Sequence, residues 1–507
     1  MRFSRSSGII LHPTSLPGRY GIGELGPEAH RFLDFLSDSG QKIWQVLPLG
    51  PTGYGDSPYQ CFSAFAGNPL LIDLEELAAE GLLSRADLDA APGFPEDAVD
   101  FGRVIEFKLP LLKKAAGAFA AHASRDRIDD YDDFIWRHSG WLDDFALFMA
   151  LKEAHGGAMW TLWPRPLGLR ESSELAEWRE RLAGEIAAHK FTQYVFFRQW
   201  SRLRDACQER GIRILGDVPI YVAHDSADVW ANPALFQLDQ DGNPTVVAGV
   251  PPDYFSATGQ LWGNPIFRWD VIASRGYAWW IDRLRATLAM VHAIRIDHFR
   301  GFEAYWEVPA GEATAQRGHW VKGPGADFFE AAEEALGTLP LVAENLGVIT
   351  PEVERMRRQF EYPGMSVLQF AFGTDPQGPD FRPHNYPHER VAYTGTHDND
   401  TTLGWWTSSG ASGSTRSDED IRHEREFART YLGIDGTAIN WVFLRAVLAS
   451  VANVAMYPLQ DVLGLASEAR MNLPGQPSGN WHWRFRRDML TPGLASRLKE
   501  LVAAYDR

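Results

Sequence analysis

Two cysteines, Cys61 and Cys207, are all that 507 residues contain. No disulfide framework is therefore available, and a reducing cytoplasm is the expected compartment. Cys207 falls on the apolar face of a helical pattern, where a small core residue is expected rather than a reactive thiol. Long hydrophobic runs are missing too. After Met1-Arg2-Phe3-Ser4-Arg5 the apolar run Ile9-Ile10-Leu11 is too short for a signal-peptide core, and no stretch reaches membrane-spanning length. Basic residues are in deficit, 49 Lys and Arg against 66 Asp and Glu for a net charge of −17. With no basic block, nucleic acid and anionic membrane are excluded as expected partners. A convincing phosphate loop is absent, because Gly21-Ile22-Gly23-Glu24-Leu25-Gly26 has the dinucleotide-binding spacing but follows Pro17-Gly18-Arg19-Tyr20 instead of a strand.

What is present is ordinary globular composition, 45% hydrophobic and 23% charged, with an unusual 19 tryptophans. Flat apolar rings with one polar edge suit partners that have CH faces and hydroxyl rims, as sugars do. Eight short apolar runs ending in Pro, Gly, Asp or Asn recur at 8–12, 43–47, 212–218, 291–297, 341–345, 365–372, 391–397 and 451–459. Helical periodicity lies between most of them, as at 28–39 and at 351–360, where Pro351 follows Thr350 as a first-turn proline follows its cap. Eight alternations predict a single α/β domain over 1–507, a (β/α)₈ TIM barrel in place of a doubly wound sheet. The spacing is uneven, so inserted subdomains are expected in the βα loops. One is mostly helical, at about 70–190, with an amphipathic helix at 191–210 closing its end of the connection. A second, at about 220–285, carries an aromatic, Gly- and Pro-rich loop at 249–265 placed to cover the cleft. Only about 45 residues follow the eighth run, leaving no room for a separate C-terminal β domain.

Three runs carry an acid at or just past their carboxyl ends, the edge where parallel-barrel enzymes gather catalytic groups: Asp297, Glu344 and Asp398. Any one of them could instead cap the following helix. Together they match the metal-free carboxylate machinery of glycosidic bond cleavage. Arg295 lies two residues before Asp297 on the same face and would keep it ionised, so Arg295→Ala is expected to damage turnover more than folding. Glu344 sits among Leu341, Val342, Ala343 and Leu346, where a carboxyl holds its proton more readily. His12, His298 and His397 also lie at run ends. A metal-dependent barrel hydrolase is the competing reading, but His12-Pro13-Thr14-Ser15 lacks a His-x-His pair, so no metal or other cofactor is expected and these histidines read as donors to substrate hydroxyls.

These residues resemble the 4-α-glucanotransferases, also called amylomaltases or disproportionating enzymes, relatives of the α-amylases. The resemblance extends from Gly8-Ile9-Ile10-Leu11-His12-Pro13-Thr14-Ser15-Leu16-Pro17 through Asp56-Ser57-Pro58-Tyr59-Gln60 to Asn472-Leu473-Pro474-Gly475. It implies that Arg295-Ile296-Asp297-His298-Phe299-Arg300-Gly301 carries the nucleophile, Asp297, with Arg295 its partner. Ala343-Glu344-Asn345-Leu346-Gly347 is similar to the acid/base segment, and Gly395-Thr396-His397-Asp398-Asn399 to the segment whose acid, here Asp398, stabilises the transition state. Tyr59 matches the aromatic that stacks on the sugar being cleaved. The segment with Asp253, Tyr254, Phe255, Gln260 and Trp262 is similar to the family's mobile loop, and His298 and His397 fall to substrate hydroxyls. The implied activity is retaining transfer of an α-1,4-glucan segment to the 4-hydroxyl of another glucan, with maltooligosaccharides, amylose, glycogen or starch chains as partners. A hydrolase on the same fold, or a glucan-binding protein without activity, are the alternatives.

Overall fold

The computed structural model describes residues 3–252, 256, 258–409, 417–476 and 478–507. Its centre is a closed barrel of eight parallel strands, β1 (Ser6–Ile10), β2 (Ile43–Gln45), β3 (Arg213–Pro219), β4 (Ala293–Asp297), β5 (Leu341–Ala343), β6 (Gly364–Val367), β7 (Arg390–Tyr393) and β8 (Val454–Pro458). Each pairs with its successor, and β8 closes on β1 with Val454 opposite Ser6. All eight apolar runs therefore overlap a barrel strand, and the α/β barrel architecture is as expected.

The pleat sorts side chains as a two-residue period demands. Ala293 points inward to Leu215, Val342, Met365, Val391 and Val454, whereas Ile294 and Ile296 join the larger core beneath the helices. Arg295 and Asp297 consequently share the inner face with Ala293 at the carboxyl end.

Several boundaries differ from the sequence reading. The helix expected at 191–210 runs Ala183–Glu209; its first turns are partly or fully exposed and its buried residues begin at Phe191, so the apolar signal starts late. Gly211, at φ 66°, ends it in a left-handed conformation that costs glycine little. The run expected at 291–297 begins too early, because helix Ala278–Met290 ends just before it and the strand starts only at Ala293. The run at 391–397 leaves the sheet after Tyr393. The Thr394 amide still reaches Met456 O at 3.2 Å, but the Asn399 side-chain oxygen then takes the Thr396 N–H (2.8 Å) and hydroxyl (2.9 Å) and turns the chain.

Between β2 and β3 the chain is largely helical, including Phe101–His122 and Arg125–Ala154. The connections after β3 and β4 build something the sequence did not announce, a second, antiparallel sheet ordered Gln260–Pro265, Val246–Val250, Ala304–Pro309, His319–Lys322. Within the expected loop at 249–265, Gln260–Pro265 is thus one arm of a hairpin and residues 249–250 end the other. Its Gly and Pro content hid the strand, which pairs with Val246–Val250 and through it with Ala304–Pro309, a partner distant in sequence. Among the described residues no helix is long and apolar enough to cross a membrane.

Candidate active site

The parallel register of β3 on β4 sets Asp217 directly opposite Arg295. The Arg295 guanidinium lies buried at 4% exposure between two carboxylates. Its Nη1 donates to both oxygens of Asp217 at 2.8 and 2.7 Å, and its Nη2 donates to Asp297 Oδ1 at 2.7 Å. Burial alone would discourage its charge, but Asp217 and Asp297 hold its pKa well above the usual arginine value. Asp217, whose side chain is fully inaccessible, has its own pKa raised, by burial first and by Asp297, against the pull of Arg295. The Tyr59 hydroxyl completes its shell, donating to Oδ2 at 2.8 Å. Arg295 is accordingly more than a partner for turnover, because it also neutralises a buried acid in the barrel wall.

Glu344 follows the last residue of β5 and stays in the ladder, its amide donating to Ile296 O at 3.0 Å and its carbonyl accepting from the Phe299 amide at 3.1 Å. The carboxyl is 8% exposed and accepts from the backbone amides of His298 (2.8 Å) and Leu346 (2.7 Å). Burial, then the charge of Asp297, pushes its pKa up to about 7, although Arg295 and the two amide bonds act in the opposite direction. The neighbouring strand ends thus hold two unlike carboxyls, one beside a guanidinium and one in a pocket that favours its proton.

His298 turns the chain out of β4 in a left-handed conformation, φ 52° and ψ 49°. Burial, with Arg300 assisting, pushes its imidazole pKa down to about 3, so the ring is neutral, and its Nε2 is buried without a protein partner. The half-buried Trp262 packs edge-to-face on that ring, centroids 4.8 Å apart, and donates from Nε1 to Gln260 Oε1 at 3.2 Å. Asp253, Tyr254 and Phe255 lie outside the described residues.

Asp398 stands five residues past β7. Its Oδ1 accepts from Asn472 Nδ2 and its carbonyl from the Arg470 guanidinium, both at 2.6 Å. His397 Nε2 lies 3.3 Å from Asp398 Oδ2, and the Tyr59 ring stacks on the His397 ring with centroids 5.1 Å apart and planes 18° from parallel. Contacts therefore run unbroken from Asp297 through Arg295, Asp217, Tyr59 and His397 to Asp398, with Glu344 joined through the His298 amide. His12, at the end of β1, is buried beside His397 and pushed down to about 3 by burial and that neighbour, with Nδ1 unpartnered.

Sequence reasoning missed Asp217 and Asn472. Asp217 obeyed the same rule as the other acids, an acid near the carboxyl end of an apolar run, and was legible on that signal. Asn472 reaches Asp398 across 74 positions of chain and carried no local signal. Among the described residues, no group of three or more His, Cys, Asp or Glu is arranged to hold a metal ion.

Comparison with known proteins bears on this arrangement. Residues 11–491 match the family model described as 4-alpha-glucanotransferase. The chain is similar to the 4-alpha-glucanotransferase of Thermus thermophilus, 53% identical with all of both chains covered. It is 50% identical to that of a Synechocystis strain, covering 99% of this chain and 98% of the relative. Among solved structures, amylomaltase from Streptococcus agalactiae in complex with acarbose superposes with a TM-score of 0.93 at 40% identity, covering 99% of each chain. Amylomaltase from Corynebacterium glutamicum, at 19% identity, shares the fold with a TM-score of 0.80 over 99% of this chain and 75% of its own.

Proposed function

The chain belongs to the 4-α-glucanotransferase family, enzymes that transfer segments of α-1,4-glucan by retaining chemistry, and we propose how its own residues divide that work. Asp297 attacks the anomeric carbon of the donor while Glu344 gives its proton to the departing 4-oxygen, leaving the glucan segment esterified to Asp297. The 4-hydroxyl of an acceptor glucan then attacks the same carbon. Glu344, now ionised, takes that hydroxyl's proton, and the C–O bond to Asp297 breaks. Two inversions retain the α configuration.

The asymmetry of the two carboxyls carries this reading. Asp297 lies at 2.7 Å from the Arg295 guanidinium, whereas burial raises Glu344 to about 7, which favours a proton available for donation. Asp398, between Asn472 and His397, supplies negative charge beside the oxocarbenium-like transition state. The neutral His298, with its free Nε2, and His397 offer hydrogen bonds to sugar hydroxyls, and Tyr59 forms a wall of the cleaved subsite. Trp262 and Gln260 cover the bound glucan and exclude water, so that sugar competes successfully for the covalent intermediate, and Asp253, Tyr254 and Phe255, which precede them in sequence, are assigned the same role.

Maltooligosaccharides and the α-1,4 chains of amylose, glycogen or starch are the proposed substrates. The cytoplasm is the proposed compartment, supported by two cysteines that are both free. Incubation with maltotriose tests the activity: glucose together with chains longer than the substrate is the expected outcome, and glucose with maltose alone would mean hydrolysis instead. Asp297→Asn is expected to abolish both products.

A further inference from the structure

Asp461 lies three residues beyond β8 in helix Leu459–Leu463 and is 1% exposed. Its carboxylate is held by three short hydrogen bonds from only two residues. Oδ1 accepts from the Thr402 amide at 2.6 Å, and Oδ2 accepts from the hydroxyls of Thr394 and Thr402 at 2.6 and 2.7 Å. Both threonines are completely buried. Thr394 is the first residue after β7, and Thr402 is the first residue of helix Thr402–Thr407. Between them runs the segment 395–401, which carries His397 and Asp398.

Capping of the helix does not account for this arrangement. Thr401 already caps it, its Oγ1 accepting from the Gly404 amide at 2.9 Å. The bond to Thr394, eight residues back, is one that capping has no use for. A buried carboxylate is also an expensive choice, since apolar packing of equal volume is often as stable or more so. The return is geometric: one side chain pins both ends of a segment whose middle is turned by Asn399 and tied down by Arg470 and Asn472. Asp461 is itself fixed, its carbonyl accepting from Asn440 Nδ2 at 2.9 Å.

We propose that Asp461 is a positioning residue for Asp398, acting through Thr394 and Thr402 to hold segment 395–401 in register with the barrel mouth. This rests on the reading of Asp398 as the transition-state stabiliser. Displacing a charge by about 1 Å costs up to roughly a hundredfold in rate, so small movements of this segment are read in turnover.

The test is a double-mutant cycle in the full-length enzyme, with kcat and KM for maltotriose disproportionation and thermal melting measured on each protein. Asp461→Asn preserves size and the acceptor for the Thr402 amide, but its NH₂ cannot accept the two hydroxyls. It is expected to lower kcat by roughly ten- to a hundredfold with little change in KM and a cooperative melt. In an Asp398→Asn background it is expected to add nothing, because the group it positions is already gone. Thr402→Val should reproduce the loss and Thr402→Ser should restore turnover, which also covers the case in which Asp461→Asn fails to fold. An Asp461→Asn enzyme with full turnover beside an inactive Asp398→Asn overturns this inference alone, as do losses that simply multiply in the double variant. Unchanged turnover in Asp398→Asn overturns the assignment of Asp398 and this inference with it.

Discussion

The backbone amide of His298, the residue after Asp297, donates a 2.8 Å hydrogen bond to the side chain of Glu344. The Glu344 carboxyl is thereby tied to the main chain immediately after Asp297, so the two strand ends are held together at this point. Because the donor is main chain, the bond needs no particular side chain at 298, only a residue that keeps the left-handed turn and its N–H.

In the proposed mechanism Glu344 starts protonated, and burial together with Asp297 raises its pKa to about 7. Donor kcat/KM is therefore expected to fall as pH rises through about 7, following loss of that proton. Rates measured from pH 5 to 9 check this, and a basic limb beginning only above pH 9 would contradict it. Since the Asp297 charge is the second cause of the shift, Asp297→Asn should lower the pH at which the buried carboxyl ionises, readable by infrared difference spectroscopy.

The same shift links to stability. A carboxyl whose folded pKa lies above its unfolded value binds more protons when native, so the stability it confers is present below about pH 4.5 and lost as pH rises through about 7. Glu344→Gln removes this dependence. Relative to the parent enzyme, the variant should gain roughly 2–3 kcal/mol between pH 5 and pH 8, an order-of-magnitude figure. Melting temperatures of both proteins at the two pH values decide it, and parallel pH curves would count against it.

Arg295→Ala is expected to abolish turnover and also to destabilise the fold. It strands Asp217, fully inaccessible, and Asp297, and removing one partner of a buried ion pair costs about 3–5 kcal/mol. The buried pairing thus adds a cost in stability to the expected loss of turnover. Adding Asp217→Asn should return much of the lost stability but none of the activity, measured by melting and by maltotriose assay. A double variant as unstable as Arg295→Ala would refute the explanation.

Trp262→Ala opens the wall against His298, where the indole now packs at 4.8 Å. Water should then compete better for the glycosyl-enzyme, and the ratio of transfer to hydrolysis should drop severalfold even if total donor cleavage changes little. Quantifying maltose and glucose against longer chains from maltotriose measures the ratio. An unchanged ratio would remove Trp262 from the proposed lid.

The sequence alone determined the eight strands, because a strand covered on both faces must be apolar along its length and must stop at a residue that breaks the ladder, and both properties are local. It also placed Asp297, Glu344 and Asp398 near the carboxyl ends of their strands, since in a parallel barrel the end of a run is a place in space. Arg295 beside Asp297 was legible for the same reason, two residues apart on one pleat. Tertiary structure alone decided the rest. Asp217 meets Arg295 through the register of β3 on β4, and Tyr59 reaches Asp217 from a loop 158 positions away. Hairpin Val246–Val250 and Gln260–Pro265 became a sheet only by pairing with Ala304–Pro309. The chain left the sheet after Tyr393, where Asn399 takes the Thr396 amide and hydroxyl and Asp461 takes the hydroxyls of Thr394 and Thr402 on either side of segment 395–401. A side chain's chemistry is written at its own position, but the neighbour that tunes it is chosen by register and packing, which belong to the folded chain as a whole.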